Sequence, residues 1–457
     1  MRLGVMLNRV FRLKHNPLFD EVISYQSEIE KLYVIVPIED MSDAAEIKKN
    51  HYYEVVQGFI DALKHHHIHP FIVPYEGLAE FVRKYDLTHI LMPNDIMSYH
   101  LDIYDYPHVK LAFEKRDIQL IGCRVNHYFR PGNTLNQKGE PYKVFTSFYR
   151  ANRPQLMRHD KPLDSYKQIV QYAEKGTNET KIQWQQSQDM ERRAREAWMH
   201  FLTEDITHYK VLTDDVSQSD VSRLGQYLAY GLIDIHEVIN DLLDGYEADE
   251  VNYEAYLREI MFREFYYVLM TYYPNTATEA FSEKYRQMKW SHNEAHFEAW
   301  KKGQTGFPLV DAAMRKLNRT GYMHNRLRMV VSQFLTKHLF IDWTKGEAYF
   351  RQHLLDYDNA SNVHGWQWSA STGTDTVPYF RMFNPIRQSE RFDKNGYFIQ
   401  SEVKELEGVS SKYIHEPTKY QKDLKTQYQI IIGTDYPKAI VDHQAAREYV
   451  MTQFKQL

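Results

Sequence analysis

Polar side chains recur at helical spacing in a segment that is otherwise apolar. The segment GFPLVDAAMRKLNRTGYMHNRLRMVVSQFL begins at Gly306, and its apolar positions predict a buried helix. Asn325, Arg328 and Met329 follow at positions i, i+3 and i+4 and therefore share one helix face. A buried amide or guanidinium is costly unless it is hydrogen-bonded. The pattern predicts a polar ligand against this face.

A second helix repeats this arrangement. Glu259, Phe262 and Arg263 have the same i, i+3 and i+4 spacing within EIMFREFYY. Two such helices can line one cavity. Taken alone, Glu259 is better interpreted as a surface carboxylate of an amphipathic helix, and that alternative stays open at this point.

Two short motifs add groups that suit a charged ligand. SRLG, which begins at Ser222, lies near a predicted helix start, where free backbone N–H groups favour a diphosphate. Asp356 and Asp358 are paired in DYD, close to Asn362. Paired carboxylates occur in metal sites and in acid–base chemistry, so their spacing leaves the role of this pair open.

The elements that must position these groups fall into two domains. Four apolar runs alternate with helix-like segments in the first part of the chain; they begin at Leu32, Phe71, Thr88 and Ile118. With predicted helices from Tyr52 to His65 and ending near Lys115, this alternation predicts an α/β domain with a parallel sheet over residues 1–130. Residues 131–195 are polar and predict an interdomain connector. The 3.6-residue periodicity of residues 196–457 predicts an all-α domain.

Composition bounds the class of protein. The chain has 457 residues, of which 43% are hydrophobic, enough for a folded protein of two or more domains. A net charge of −5 argues against a general nucleic-acid binder but is compatible with a local basic face. No apolar run has the length of a membrane span and no secretory signal begins the chain. We therefore expect a cytoplasmic protein with no membrane association.

Neither the cysteine nor the histidine content predicts a disulfide or a metal site. Cys123 is the single cysteine, which excludes an internal disulfide, and we expect a free buried thiol. HHHIH begins at His65, after a predicted helix and before Pro70. Without cysteine or carboxylate partners, this run is read as a solvated helix end and not as a zinc site.

Long motifs in the second half of the chain resemble those of a known family. In chain order they are SRLGQYLAYG, EIMFREFYY, GYMHNRLRM, HGWQWSASTGTD, HEP and DYPKAIVDH. They resemble the photolyase/cryptochrome flavoprotein family, most closely the class I cyclobutane pyrimidine dimer photolyases, over residues 196–448. LNRVFRLKHNPLF, from Leu7, resembles the family's opening strand and turn more weakly. The resemblance implies a Rossmann-like α/β N-terminal domain and an all-α FAD-binding domain.

The resemblance implies light-dependent DNA repair. In this family a pyrimidine dimer is flipped out of UV-damaged DNA, and photoexcited reduced FAD donates the electron that splits the cyclobutane ring, a carbon–carbon lyase reaction. We expect a monomer that associates with the nucleoid when bound to DNA. One alternative is a cryptochrome-like blue-light photoreceptor without repair activity, against which Asn362 and Glu259 argue. Another is repair of (6-4) photoproducts, whose enzymes carry two histidines where this chain has Asn325 and Met329.

The resemblance also implies a site for FAD. The positions that match FAD-binding residues are Tyr209, Val221, Ser222, Arg223, Leu224, Gly225, Arg328, Asp356, Tyr357, Asp358 and Asn362. In the family, the residue at Asn362 faces flavin N5. Val221 and Gly225 stand where Thr and Ser are common, so backbone amides or waters must replace two hydroxyl contacts. A second, antenna chromophore is compatible with the resemblance, and its identity is left open.

The remaining assignments concern catalysis, electron transfer and DNA. Glu259, Asn325, Met329 and Asn362 match catalytic positions. Trp366, Trp343 and Trp290 match the family's electron-transfer chain from proximal to distal, although each alone would be read as a core residue. The positions that match lesion or DNA contacts are Glu259, Phe262, Arg263, Asn325, Arg326, Met329, Trp368, Arg381 and Gln388. Phe262 replaces the usual tryptophan, which predicts a smaller wall of the lesion pocket.

Overall fold

A five-stranded parallel sheet forms the N-terminal part of the protein. A computed structural model describes residues 1–95, 113, 115–159, 164–182, 187–217 and 221–457. The strands are β1 (Arg2–Met6), β2 (Lys31–Ile38), β3 (Phe71–Pro74), β4 (His89–Pro93) and β5 (Gln119–Cys123). Their order is β3-β2-β1-β4-β5, with every pair parallel. The predicted α/β fold of this part is confirmed.

Strand β2 shows why this sequence forms a parallel sheet. KLYVIVPI is buried at every position after Lys31, as expected for a strand covered on both faces. Three described helices accompany the sheet: α1 (Pro17–Ser24), α2 (Glu46–His65) and α3 (Leu78–Lys84). Helix α2 ends at His65 as predicted but begins earlier than Tyr52, and its mixed polar first turn hid that start from periodicity.

Three other expectations differ from the structure or fall outside it. The opening strand is Arg2–Met6 and so precedes the motif at Leu7 that was expected to contain it. The helix expected to end near Lys115 lies mostly outside the described residues. Cys123 is a free thiol but is only half-buried, and its partial burial raises the thiol pKa to about 12.

The predicted connector is ordered where it is described. It contains α4 (Phe145–Asn152) and α5 (Tyr166–Ile169), and α6 (Met190–His200) begins within it. Its backbone also adds to the sheet, because Leu32 N donates to Tyr172 O at 3.2 Å and Ile72 N donates to Thr177 O at 3.0 Å. These bonds hold the connector against the sheet edge.

Helices build the rest of the described chain, as the periodicity predicted. They are α7 (Tyr209–Leu212), α8 (Leu224–Ala229), α9 (Ile235–Gly245), α10 (Glu250–Tyr272), α11 (Glu294–Lys302), α12 (Pro308–Thr320), α13 (Asn325–Gln333), α14 (Trp343–His353), α15 (Asn359–Ala370), α16 (Pro385–Phe392), α17 (Tyr397–Glu402), α18 (Ser411–Ile414), α19 (Gln421–Tyr428) and α20 (His443–Lys455). None of the helices in the described ranges is long and apolar enough to cross a membrane.

Helix α10 ties the two parts together through a buried carboxylate. Oε2 of Glu264, which is fully buried, accepts hydrogen bonds from the backbone N–H groups of Tyr128 and Phe129, each at 3.0 Å. Next to it, Nη1 of Arg263 donates to Asn126 O at 2.7 Å. The segment that follows the last strand is therefore fixed to the helix that carries Glu259.

Replacing Glu264 with alanine should lower the free energy of unfolding by about 3 kcal/mol, because two buried N–H groups lose their acceptor at roughly 1–3 kcal/mol each. Urea unfolding, monitored by circular dichroism, measures this change in the free energy of unfolding. Glu259→Ala, an exposed position on the same helix, is the matched control and should change stability by about 0.5 kcal/mol or less. Equal effects of the two substitutions would contradict the anchoring role of Glu264.

Candidate functional site

A cavity of about 440 Å³ opens between helices of the second part. Its volume and mostly apolar lining are those of a small-molecule or cofactor site. The lining residues are Glu259, Phe262, Arg263, Tyr266, Asn325, Arg328, Met329, Ser332, Phe350, Leu354, Asp356, Tyr357, Asp358, Ser361, Asn362, Gly365, Trp366, Trp368 and Ser369. Helices α10, α13, α14 and α15 and the loop before α15 supply them.

Helix α13 presents its polar face to this cavity. The segment from Gly306 forms two helices, because Gly321 with φ 66° ends α12 and α13 begins at Asn325. Asn325, Arg328 and Met329 all lie within α13, so the predicted common face is unaffected by the break, and all three line the cavity. The opposite face of α13 buries its apolar residues.

Helix α10 supplies the facing wall. Glu259 is exposed to the open cavity, yet the surrounding protein desolvates its carboxyl group, and this raises its pKa above the ordinary value of 4.5. Arg258 and Lys210 oppose that rise, and Asp214 adds to it. Arg263 lines the cavity as well, but its guanidinium also holds the Asn126 carbonyl.

Phe262, in the cavity wall, packs against a second aromatic ring. Its ring stacks on Phe145 of α4, with 3.4 Å between centroids and 10° between planes. The guanidinium of Arg258 also lies over the Phe145 ring, 5.2 Å from its centroid. The smaller side chain at this position is therefore backed by a second ring, which sequence spacing did not indicate.

The two aspartates of DYD have different partners. Asp356 Oδ2 accepts from Arg328 Nη2 at 2.6 Å, and its Oδ1 is buried with no hydrogen-bond partner in the described structure. Asp358 caps α15 by accepting from Ser361 N at 2.8 Å. Within the described ranges, no group of three or more His, Cys, Asp or Glu side chains could hold a metal ion.

Asn362 is held by Glu347, a residue that no motif in the sequence indicated. Glu347 of α14 is buried, and its Oε1 accepts from Asn362 Nδ2 at 3.0 Å and from the Tyr357 hydroxyl at 3.0 Å. Burial raises the pKa of Glu347. The only signal in the sequence is an acidic residue in an aromatic helix, which does not reveal its partners.

SRLG does lie at a helix start, but outside the cavity lining. Helix α8 begins at Leu224, whose N–H donates to Ser222 Oγ at 3.2 Å, and Arg223 has a left-handed backbone with φ 49°. A Cβ atom on Gly225 would lie 3.2 Å from Asp356 Oδ2, so this helix touches the cavity edge at that carboxylate. Val221 is half-buried, and Tyr209 packs 5.1 Å from the Tyr256 ring.

The three tryptophans differ in exposure. Trp366 lines the cavity and is buried, and a Cβ on Gly346 would lie 2.1 Å from its ring, so only glycine fits beneath it. Trp343 is also buried, at the start of α14. Trp290 is half-buried and packs 4.9 Å from Phe340.

The residues that are expected to contact DNA differ in exposure and in whether another side chain already pairs with them. Arg326 forms a 2.6 Å ion pair with Asp214, and its guanidinium lies over Phe392. Arg381 is exposed, and none of the ion pairs in the described residues involves it. Gln388 is half-buried with its Oε1 unpartnered among the described residues, and Trp368 lines the cavity.

Comparisons with known proteins agree with this architecture. The family model "FAD binding domain of DNA photolyase" matches residues 256–456, and the DNA photolyase model matches residues 6–167. Deoxyribodipyrimidine photo-lyase of Alkalihalophilus pseudofirmus is 40% identical over 336 residues, 71% of this chain and 70% of that protein.

Two solved structures share the whole fold. A bacterial class III photolyase from Agrobacterium tumefaciens is 25% identical with a TM-score of 0.84, covering 100% of this chain and 97% of its own. An archaeal photolyase from Sulfolobus tokodaii, solved with two FAD molecules, is 25% identical with a TM-score of 0.77 and full coverage of both chains. The FAD-binding match contains every residue that lines the cavity. This chain belongs to the DNA photolyase family.

Proposed function

We propose that this protein is a light-dependent, FAD-containing lyase that splits cyclobutane pyrimidine dimers in UV-damaged DNA. The observation that carries the proposal is that one cavity holds two sets of side chains. Asp356 and Asn362 suit a bound flavin nucleotide, whereas Glu259, Asn325 and Trp368 suit two linked pyrimidine bases of one strand taken out of the duplex. A cofactor and a flipped lesion would thus be in contact.

The residues around the cavity fit FAD. The buried, unpartnered Oδ1 of Asp356 is an acceptor for a cofactor hydroxyl or ring N–H, and burying it without a partner is costly. Arg328 supplies positive charge beside it. Asn362 lines the cavity, and Glu347 fixes the orientation of its amide. We propose that Ser222, Arg223, Leu224 and the neighbouring Tyr209 and Val221 hold the phosphates at the cavity edge.

FAD, when bound in its reduced form, supplies the light-excited electron donor. The protein supplies position and electrostatics. Apolar and aromatic walls exclude water, and the desolvation that raises the pKa of Glu259 favours its protonated form, which can donate a hydrogen bond to a base acceptor. Trp368 and the Phe262–Phe145 stack offer ring faces for the lesion. A second, antenna chromophore remains a prediction, for which the two FAD molecules of the archaeal relative offer a precedent.

The direct test uses an oligonucleotide that carries one cyclobutane pyrimidine dimer, incubated with FAD-loaded, chemically reduced protein in blue light or in the dark. We expect reversal to intact pyrimidines in light alone, measured by chromatography. An oligonucleotide with a (6-4) photoproduct is the control and should stay unchanged. Flavin photochemistry without any dimer reversal would instead support a photoreceptor.

Glu259 should act as a hydrogen-bond donor to the lesion. Because the raised pKa keeps its carboxyl protonated above the ordinary value of 4.5, affinity for damaged duplex should fall as pH rises through the raised pKa and the proton is lost. Glu259→Gln, a permanent donor, should bind the lesion without this pH dependence, and Glu259→Ala should lose about tenfold in affinity, roughly one hydrogen bond. Fluorescence anisotropy measures these affinities. A wild-type pH dependence in Glu259→Gln would exclude the carboxyl as its source.

Arg381 should neutralise one DNA phosphate. Log K for damaged duplex should fall with log salt, and Arg381→Ala should flatten that slope by about 0.9 while weakening damaged and intact DNA together. Arg326→Ala is the matched comparison, and its slope should change less because Asp214 already pairs with this guanidinium. Salt titrations by anisotropy measure both slopes. An unchanged slope in Arg381→Ala would remove its phosphate assignment.

A further inference from the structure

Trp366 is in ring contact with a tryptophan that the proposed function does not use. The centroids of Trp366 and Trp300 are 6.1 Å apart at 72° between planes, and both side chains are buried. In the part of the chain that the structure describes, Trp366 has ring contacts with Trp300 and Phe350 but none with Trp343. Trp300 is therefore the indole packed directly on Trp366.

From Trp300 the aromatic contacts continue toward solvent. The Tyr349 ring lies 5.6 Å from Trp300, centroid to centroid, at 63°. Tyr349 is half-buried, and its hydroxyl donates to Oδ1 of the surface residue Asn318 at 2.7 Å. Helices α11, α14 and α15 thus bring three oxidisable rings into one series from the cavity to the surface.

We propose that Trp300 and Tyr349 form a second electron-transfer route to Trp366, with Tyr349 as its surface donor. The inference rests on the proposed function only in that FAD binds beside Trp366. It is independent of whether a pyrimidine dimer is the substrate.

The route conserves charge at each step. Trp366 would give one electron to bound oxidised FAD, which would supply the light-excited electron acceptor, and Trp300 would then refill Trp366. Tyr349 then refills Trp300 and releases its phenolic proton to water, leaving a neutral phenoxyl radical. An external thiol then gives one electron and one proton to Tyr349 and becomes a thiyl radical, so the net result is one electron moved from the thiol to the flavin and one proton released to water.

The surroundings of the two rings suit this role. Trp300 Nε1 donates to Val331 O at 3.1 Å, which fixes the indole. His353 stacks on Tyr349 at 4.1 Å, and because burial lowers the pKa of His353, the neighbouring imidazole is uncharged at neutral pH and does not repel an electron hole. A packing role alone does not require the terminal ring to reach water.

The test is photoreduction of bound oxidised FAD by a thiol in the absence of DNA. Trp343→Phe removes the other expected route. It should retain flavin photoreduction above the level of Trp366→Phe and show a light-induced tyrosyl signal in electron paramagnetic resonance. That signal should change its hyperfine pattern when the protein contains ring-deuterated tyrosine. When Trp300→Phe or Tyr349→Phe is added to the Trp343→Phe variant, flavin photoreduction should fall to the level of Trp366→Phe. The tyrosyl signal should also disappear.

Tyr397→Phe, at an exposed site on α17, is the matched control and should change nothing. The proposal is overturned if Trp343→Phe photoreduces no better than Trp366→Phe, or if its residual photoreduction survives Trp300→Phe or Tyr349→Phe. Should Trp343→Phe fail to retain FAD, the tyrosyl signal is compared between the otherwise native chain and its Tyr349→Phe variant. A tyrosyl signal that is unchanged in the Tyr349→Phe variant would also overturn the proposal.

Failure of this route and failure of the proposed function are separable. Dimer reversal by chemically pre-reduced protein bypasses both routes, so Trp300→Phe and Tyr349→Phe should repair as the unsubstituted chain does. Loss of reversal in the unsubstituted protein would overturn the repair function and leave the photoreduction result standing.

Discussion

The ion pair between Arg328 and Asp356 is the interaction on which the cavity depends. The guanidinium bonds Asp356 Oδ2 at 2.6 Å and the Met323 carbonyl at 2.8 Å, which joins α13 to the loop before α15. Gly225 brings α8 against the same carboxylate. Three segments that are distant in the chain therefore meet at one side chain, and the polar face of α13 is set opposite Asn362.

The two oxygens of Asp356 have different roles: Oδ2 stabilises the fold through the ion pair with Arg328, and Oδ1 is left for a ligand. The side chains of Arg328 and Asp356 are 26% and 17% exposed, so water screens the pair only in part. Removing one partner of such a pair leaves a poorly solvated charge, which costs more than the pair contributes when intact. The unpartnered Oδ1 adds a desolvation cost that a bound hydroxyl or N–H group would relieve. Ligand binding and folding are thereby coupled at one residue.

Aromatic packing gives the site its rigidity. Trp366 rests on Gly346, where a Cβ atom would overlap the indole, and its ring also contacts Trp300 and Phe350. Rings packed at these distances hold the cavity open without polar groups that would need partners. The same contacts place oxidisable rings close together, so the packing that stabilises the site also determines which electron routes are short.

Local spacing was enough to predict the architecture and the two cavity faces. The alternation of apolar runs with helix-like segments predicted a parallel sheet, and positions i, i+3 and i+4 placed Asn325, Arg328 and Met329 on one side of α13, because both patterns follow from local periodicity. The matching motifs indicated the family. The contacts that a side chain makes with a distant segment of the chain could not be predicted from local spacing.

Only the tertiary structure showed that Glu347 holds Asn362, that Phe145 backs Phe262 and that Asp214 pairs with Arg326. Each of these contacts joins elements that are separate in the sequence. A side chain's direction along its own helix follows from 3.6-residue geometry, whereas its partner across a cavity depends on how whole helices pack. That packing is decided by the burial of the entire core and not by any single motif.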